Sequence, residues 1–127
     1  MFKETVICIV IVVLIFSLDM FTQGYTDRTT AEITGIFTEL KDFAVKEEKD
    51  NMETKIAELD EKWNEKHDKL AYYIEHDELE KVDTAIVSAK SYIRTEDYSS
   101  AASELDVGKF VLEHIQEKYK FNLVNVF

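Results

Sequence analysis

The longest apolar stretch of the chain lies near its N-terminus. Residues 5–18 (TVICIVIVVLIFSL) carry no charge; Lys3 and Glu4 precede them, and Asp19 follows. A helix of this length spans about 21 Å, which is short of a hydrocarbon core of about 30 Å. Continuing the helix through Phe21 lengthens the span to about 25 Å and leaves Lys3 and Asp19 at the two interfaces. The pattern therefore predicts a transmembrane helix that contacts the lipid bilayer through residues 5–21.

Two other interpretations of this segment compete with a retained anchor. A cleaved signal peptide has an apolar region of similar length, but it needs small residues at its cleavage site, and the triplet at 22–24 (TQG) is a poor match. A buried helix of a soluble protein is disfavoured because no amphipathic pattern flanks the run. We therefore assign residues 1–22 to an anchor and 23–127 to a separate domain. Lys3 favours an N-terminus inside the cell and a domain outside it.

Beyond the anchor, apolar residues recur at spacings of three and four, as they do on one face of a helix. Polar segments divide them into four stripes. The sequence therefore predicts an all-α fold, in which the N-terminal transmembrane helix is followed by a small antiparallel bundle of about four helices. The stripe residues are Ile33, Ile36, Phe37, Leu40, Phe43 and Ala44; Met52, Ile56, Leu59, Trp63, Leu70 and Tyr73 or Ile74; Leu79, Val82, Ile86, Ala89 and Ile93; and Tyr98, Ala101, Leu105, Gly108, Leu112, Ile115 and Tyr119.

Residues suited to helix capping indicate where these helices begin. The first bundle helix either has its own cap or runs straight on from the membrane helix, since only Gly24 interrupts the two. The starts of the second and third bundle helices resemble capping boxes, in which an acidic residue three positions after the cap accepts a hydrogen bond from the backbone N–H of the cap residue. The candidate caps are Asp27, Thr29 or Thr30; Asp50, with Glu53, or Asn51; Asp77 with Glu80; and Thr95 or Asp97.

The last helix has the most regular stripe, which resembles a heptad seam. Gly108 falls within the seam, where a small residue lets another helix approach closely. Phe110 and Val111 are expected to widen the apolar face, so this helix is predicted to be central to the bundle. The apolar tail at 122–127 (NLVNVF) either packs back on the bundle or meets a partner, and packing is favoured.

Composition narrows the classes of function. The net charge is −11, which argues against nucleic-acid binding and against broad adsorption to anionic lipid. With no proline and three glycines, the chain is suited to long helices and few tight corners. Cys8 is the single cysteine, so an intramolecular disulfide is impossible. No phosphate loop or nucleophile motif occurs, and no two of His67, His76 and His114 have the spacing of a helical metal site.

These observations predict no catalytic residue, no metal ligand and no cofactor, and hence no enzyme. Paired carboxylates carry little information, because 26 acidic residues place such pairs by chance. One metal site stays open as an alternative, since a folded bundle could bring His76 and His114 together with carboxylates.

Several short motifs along the chain together form a pattern that resembles one protein family. They are Trp63, the run at 73–79 (YIEHDEL), the run at 89–93 (AKSYI), Glu96-Asp97, the run at 112–115 (LEHI) and the ending at 122–127. With these, the chain resembles the Domain of Unknown Function 4363 family. The resemblance implies a small bacterial protein with an N-terminal membrane segment, without an assigned activity, in which Trp63, His76 and His114 belong to a shared packing pattern.

The leading functional hypothesis is a single-pass protein of the bacterial cell membrane whose extracytoplasmic bundle serves as an interaction module or accessory subunit. Its expected partner is another membrane protein, and the candidate contact residues are Trp63, His76, His114 and Phe127. The alternative is a secreted or anchored module that binds a small ligand or cation in an aromatic and carboxylate cleft. An enzyme is the least supported class.

Overall fold

Four helices account for almost all of residues 1–120, the part of the chain that this computed structural model describes. They are α1 (Phe2–Val45), α2 (Lys49–Leu70), α3 (His76–Arg94) and α4 (Tyr98–Lys120), and no strand occurs among the described residues. This confirms the all-α class and the small bundle. The bundle contains α2, α3, α4 and the C-terminal half of α1, whose buried residues begin at Thr26.

The first helix is continuous from the apolar segment into the bundle. Gly24 does not break it, because one glycine costs a helix only about 1 kcal/mol relative to alanine. The separate start predicted at Asp27, Thr29 or Thr30 is therefore wrong, and the uninterrupted alternative is confirmed. Thr29 and Thr30 are instead buried within the bundle. The apolar part of α1 is long and apolar enough to cross a membrane, a property that signal sequences share.

The helices run up and down, with α4 lying between α1 and α3. Close packing joins α1 to α4, α4 to α3, and α1 to α2. The central position predicted for α4 is thus confirmed. The end of the bundle beside the apolar segment, here the proximal end, holds the α2–α3 turn at residues 71–75. The opposite, distal end holds the turns at 46–48 and 95–97, where Lys49 pairs with Glu96.

The predicted stripes form the core. Most of their members are buried, and Phe43, Ile56, Tyr73, Ile93, Tyr98 and Tyr119 pack partly buried against the rest. Phe110 departs from the prediction: it is 69% exposed, because it lies two positions from both Gly108 and Leu112, and those residues face the core. A Cβ on Gly108 would lie 3.1 Å from Cε2 of Phe37, so this glycine does mark a close helix approach.

The two distal turns use glutamates where glycine is usual. Glu47 and Glu96 have φ angles of 58° and 60°, in the left-handed region. Each follows a helix end whose carbonyls are closed by backbone bonds, such as Glu48 N to Phe43 O at 3.0 Å. This is the Schellman arrangement, in which glycine avoids the penalty that a side chain incurs. The long helices agree with the prediction from composition, whereas these tight turns form without the glycine that such turns usually contain.

Helix starts were predicted less well than helix faces. The second helix begins at Lys49 and the third at His76, each without a side-chain cap hydrogen bond. The capping boxes at Asp50 and Asp77 are therefore wrong, because the short turns start both helices earlier and place these acids in the first turn. Acidic groups in the first turn still interact favourably with the helix dipole. Asp97 does cap α4, since its Oδ1 accepts from the Ser100 backbone N at 3.2 Å.

Candidate functional site

The structure places Trp63 in the core, with 4% of its surface exposed. Its indole Nε1 donates to Oδ1 of Asp83 on α3 at 2.6 Å, and its ring meets His67 edge-on at 5.7 Å between centroids. Nearby, Lys90 Nζ lies 2.9 and 3.1 Å from the two carboxylate oxygens of Asp60. These contacts give Trp63 a packing role between α2 and α3. With so little exposed surface, Trp63 offers almost no area to a partner.

The two candidate histidines lie on the surface and are not part of one site. His76 is the exposed first residue of α3, with Nε2 3.9 Å from Glu80 Oε2. His114 is exposed on α4 and stacks on Phe110 at 6.4 Å between ring centroids. Within residues 1–120, no group of His, Cys, Asp and Glu side chains could hold a metal ion. No such group joins His76 to His114 among these residues, and Phe127 lies outside them.

A groove of about 510 Å³ runs between α3 and α4. Apolar side chains and charged side chains line it together. Phe110 follows Val107 by three residues and continues the apolar surface onto the exposed side of α4. We call this surface the α3–α4 groove. Its lining residues are Asp77, Glu80, Lys81, Thr84, Ala85, Glu104, Val107 and Val111.

Sequence reasoning missed the groove, although part of its signal was present. A helical wheel places Phe110 opposite Gly108 and Leu112, so its exposure could have been read from the stripe. To predict the groove itself, one must know that α3 packs beside α4, and no local sequence pattern indicates which helices pack together.

At the proximal end, hydrogen bonds tie the α2–α3 turn to α1 and to the end of α4. The hydroxyl of Tyr73 lies 2.6 Å from Thr26 Oγ1 and donates to the Thr22 carbonyl at 3.2 Å. Burial raises the pKa of the Tyr73 phenol. The hydroxyl of Tyr119 accepts from the Glu75 backbone N at 2.9 Å. We call these contacts the Tyr73 network, and they fix the height of the turn along α1.

A second cleft, of about 390 Å³, lies between α2 and α3 near the distal end. Lys49 and Glu96 pair at its edge, and the hydrogen bond from Lys49 holds the pKa of Glu96 below its usual value. Lys90, Arg94 and Glu53 also line it. Because its lining includes three cations and two carboxylates, it differs from the acidic groove.

Together the fold and its surfaces define a four-helix protein whose first helix extends into an apolar segment. The model of the family described as Domain of unknown function (DUF4363) matches residues 20–126. The chain belongs to this family. Neither a search of curated proteins nor a search of solved structures found a match.

Proposed function

We propose that the protein is a single-pass membrane protein of bacteria whose bundle binds another membrane protein through the α3–α4 groove. Residues 5–21 of α1 serve as the anchor in this proposal. The bundle lies outside the cell, because Lys3 favours a cytoplasmic N-terminus. The observation that carries the proposal is the groove itself, an apolar surface with acidic neighbours beside an aromatic ring that is 69% exposed.

The apolar part of the groove is suited to protein recognition. Ala85, Val107 and Val111 supply apolar area, and Phe110 stands beside them. Aromatic residues are enriched at the energetic centres of protein interfaces, where they bury large areas at a low cost in side-chain entropy. An exposed aromatic beside a groove is therefore more informative than scattered surface valines.

The charges of the groove indicate the chemistry of the partner. Three carboxylates, those of Asp77, Glu80 and Glu104, face one ammonium, that of Lys81. Complementary charge speeds association and disfavours wrong partners. A helix with a basic edge and an apolar face would match this surface in both respects. The acidic net charge of the whole chain, −11, acts in the same direction.

Photo-crosslinking in native bacterial membranes tests this proposal. A photoreactive amino acid replaces Val107 in the groove, and in a control chain it replaces Val45, which is 66% exposed at the distal end. We expect position 107 alone to form an adduct with another membrane protein, identified by mass spectrometry. Phe110→Ala should weaken that adduct, and Glu80→Lys with Glu104→Lys should abolish it.

Two outcomes contradict the proposal. Equal adducts from positions 107 and 45 would show that the groove is not selective. Adducts formed only between copies of the chain would show self-association in place of a partner.

The second candidate function is a module for a small ligand, and the distal cleft between α2 and α3 favours it. Its mixture of ammonium, guanidinium and carboxylate groups suits a ligand that carries both charges better than a lone cation. Thermal unfolding of the full chain across a panel of ligands and metal ions separates this candidate from the first. A concentration-dependent rise in melting temperature that Arg94→Ala abolishes would favour the ligand module.

A further inference from the structure

The α2–α3 turn presents an aromatic side chain toward solvent at the proximal end of the bundle. Tyr72 is 90% exposed there, whereas its neighbour Tyr73 is held by the Tyr73 network. An exposed tyrosine on a turn buries almost none of its ring in the folded protein, so packing of the core does not explain its position. Tyrosine is enriched at membrane–water interfaces, because its ring is apolar and its hydroxyl is polar.

The contacts of Tyr73 set the height of this turn. Its hydroxyl meets Thr22 and Thr26, which follow Phe21, the last apolar residue of the anchor, by one and five positions. Those positions rise about 1.5 and 7.5 Å along the helix axis. The headgroup layer on each side of a bilayer is about 5–7 Å thick. Tyr72 is adjacent in the chain, so it lies at the level of the headgroups when α1 spans the membrane.

The proximal end is nearly neutral, so it can lie against a membrane surface more easily than the rest of the strongly acidic chain. Residues 19–28, 66–77 and 116–120 contain six acidic and five basic residues, a net charge of −1, against −11 for the whole chain. The strong negative charge therefore lies elsewhere on the bundle. A nearly neutral end can approach zwitterionic headgroups without the repulsion that anionic lipid would produce.

The continuous α1 helix prevents the bundle from drifting away from this surface. No break occurs between the apolar segment and Thr26, so the bundle has no flexible linker on which to swing. Tyr119 and Tyr73 also fasten the turn and the end of α4 together, with ring centroids 6.5 Å apart. The proximal end is therefore presented to the bilayer as a rigid face.

We propose that this end of the bundle is a second lipid contact, in which Tyr72 inserts its ring among the headgroups of zwitterionic phospholipid. The inference rests on the proposed anchor and goes beyond it, because an anchored bundle could equally stand clear of the surface.

Fluorescence quenching in vesicles of phosphatidylcholine with brominated chains tests the inference. Three full-length variants are compared, each carrying one new tryptophan: Tyr72→Trp at the proximal turn, Tyr92→Trp near the distal end, and Leu14→Trp in the anchor. The buried Trp63 is present in all of them, so its signal in the parent chain is subtracted. We expect bromines near the headgroup to quench position 72, with a blue-shifted emission, and to leave position 92 unchanged. Bromines near the chain ends should quench position 14.

The three positions separate the two proposals. If position 14 is quenched and position 72 is not, the lipid contact is overturned and the anchor stands. If position 14 is not quenched, the anchor fails and this inference fails with it. Quenching at 72 that is equal or stronger in vesicles of anionic phospholipid would overturn the assignment to zwitterionic headgroups.

Discussion

The indole nitrogen of Trp63 donates a 2.6 Å hydrogen bond to the carboxylate of Asp83, and this bond joins α2 to α3. The two residues lie in different environments, since the indole is buried and the carboxylate is partly exposed. His67 Nε2 is 3.4 Å from the other carboxylate oxygen. The α2–α3 seam thus depends on long polar side chains, in contrast to the close helix packing around α4.

Removing the acceptor of this bond should destabilise the bundle. Asp83→Ala leaves a buried indole N–H without its partner, which costs about 1–3 kcal/mol of the free energy of unfolding. The matched control is Asp106→Ala, which removes an exposed pair with Lys41 at 2.8 Å and should cost no more than about 1 kcal/mol. Chemical denaturation in detergent micelles, followed by the fluorescence of the single tryptophan, measures both. Equal losses would contradict a special role for Asp83.

Two glycines in helices should respond to alanine in opposite directions. In Gly108→Ala the new methyl would lie 3.1–3.2 Å from the buried ring of Phe37 and 3.4 Å from Ala85, so we expect a net loss of stability despite the better helix propensity. Gly35→Ala meets nothing within 4 Å and should gain up to about 1 kcal/mol. Thermal unfolding by circular dichroism compares them. Stabilisation by both variants would show that Phe37 can move aside.

The left-handed turn at Glu47 offers a stabilising substitution. Glu47→Gly removes the side-chain penalty at φ 58°, which is about 1–2 kcal/mol, although glycine returns part of it as entropy of the unfolded chain. We therefore expect a modest rise in melting temperature. Glu39→Gly, within helix α1, is the control and should lower it, because it destabilises the helix and also removes the ion pair with Lys55. A fall in melting temperature for Glu47→Gly would mean that the carboxylate makes an interaction worth more than the backbone strain.

Alkaline pH should destabilise the protein through Tyr73. Burial raises the pKa of this phenol in the folded state, so its contribution to stability is complete below about pH 10 and is lost as the pH rises through the raised pKa. Tyr73→Phe should be less stable at neutral pH, because it loses the bond to Thr26, yet its stability should fall less steeply above pH 10. Tyr72→Phe is the exposed control. Parallel pH profiles for wild type and Tyr73→Phe would contradict this account.

The faces of the helices could be predicted from sequence because burial follows a local period. Ile33, Leu59, Leu79 and Leu105 lie at stripe positions, and each is almost fully buried. The central position of α4 was also predicted correctly, although Phe110, one of the two residues on which that prediction rested, is exposed. Helix starts were harder, because α2 and α3 begin at Lys49 and His76 without a side-chain cap hydrogen bond, whereas the cap predicted at Asp97 is formed.

Most of the candidate site could not be predicted from the sequence. Trp63 was predicted both as a stripe residue and as a candidate partner contact, and the structure buries it in the core. The bond from Tyr73 to Thr26 joins residues 47 positions apart, and no local spacing predicts such a pair. The groove beside Phe110 exists because two helices that are consecutive in the chain pack side by side.

Because α1 is uninterrupted, the depth of the anchor in the membrane and the rotation of the bundle about the helix axis are linked. Each residue of helix adds about 1.5 Å of rise and about 100° of rotation. Inserting one residue after Phe21 would therefore lift the bundle only slightly but turn the α3–α4 groove toward a different neighbour in the plane of the membrane. An insertion of seven would raise it by about 10 Å and return it to within about 20° of its original bearing. In the proposed placement, the anchor sets where the groove points as well as how high it stands.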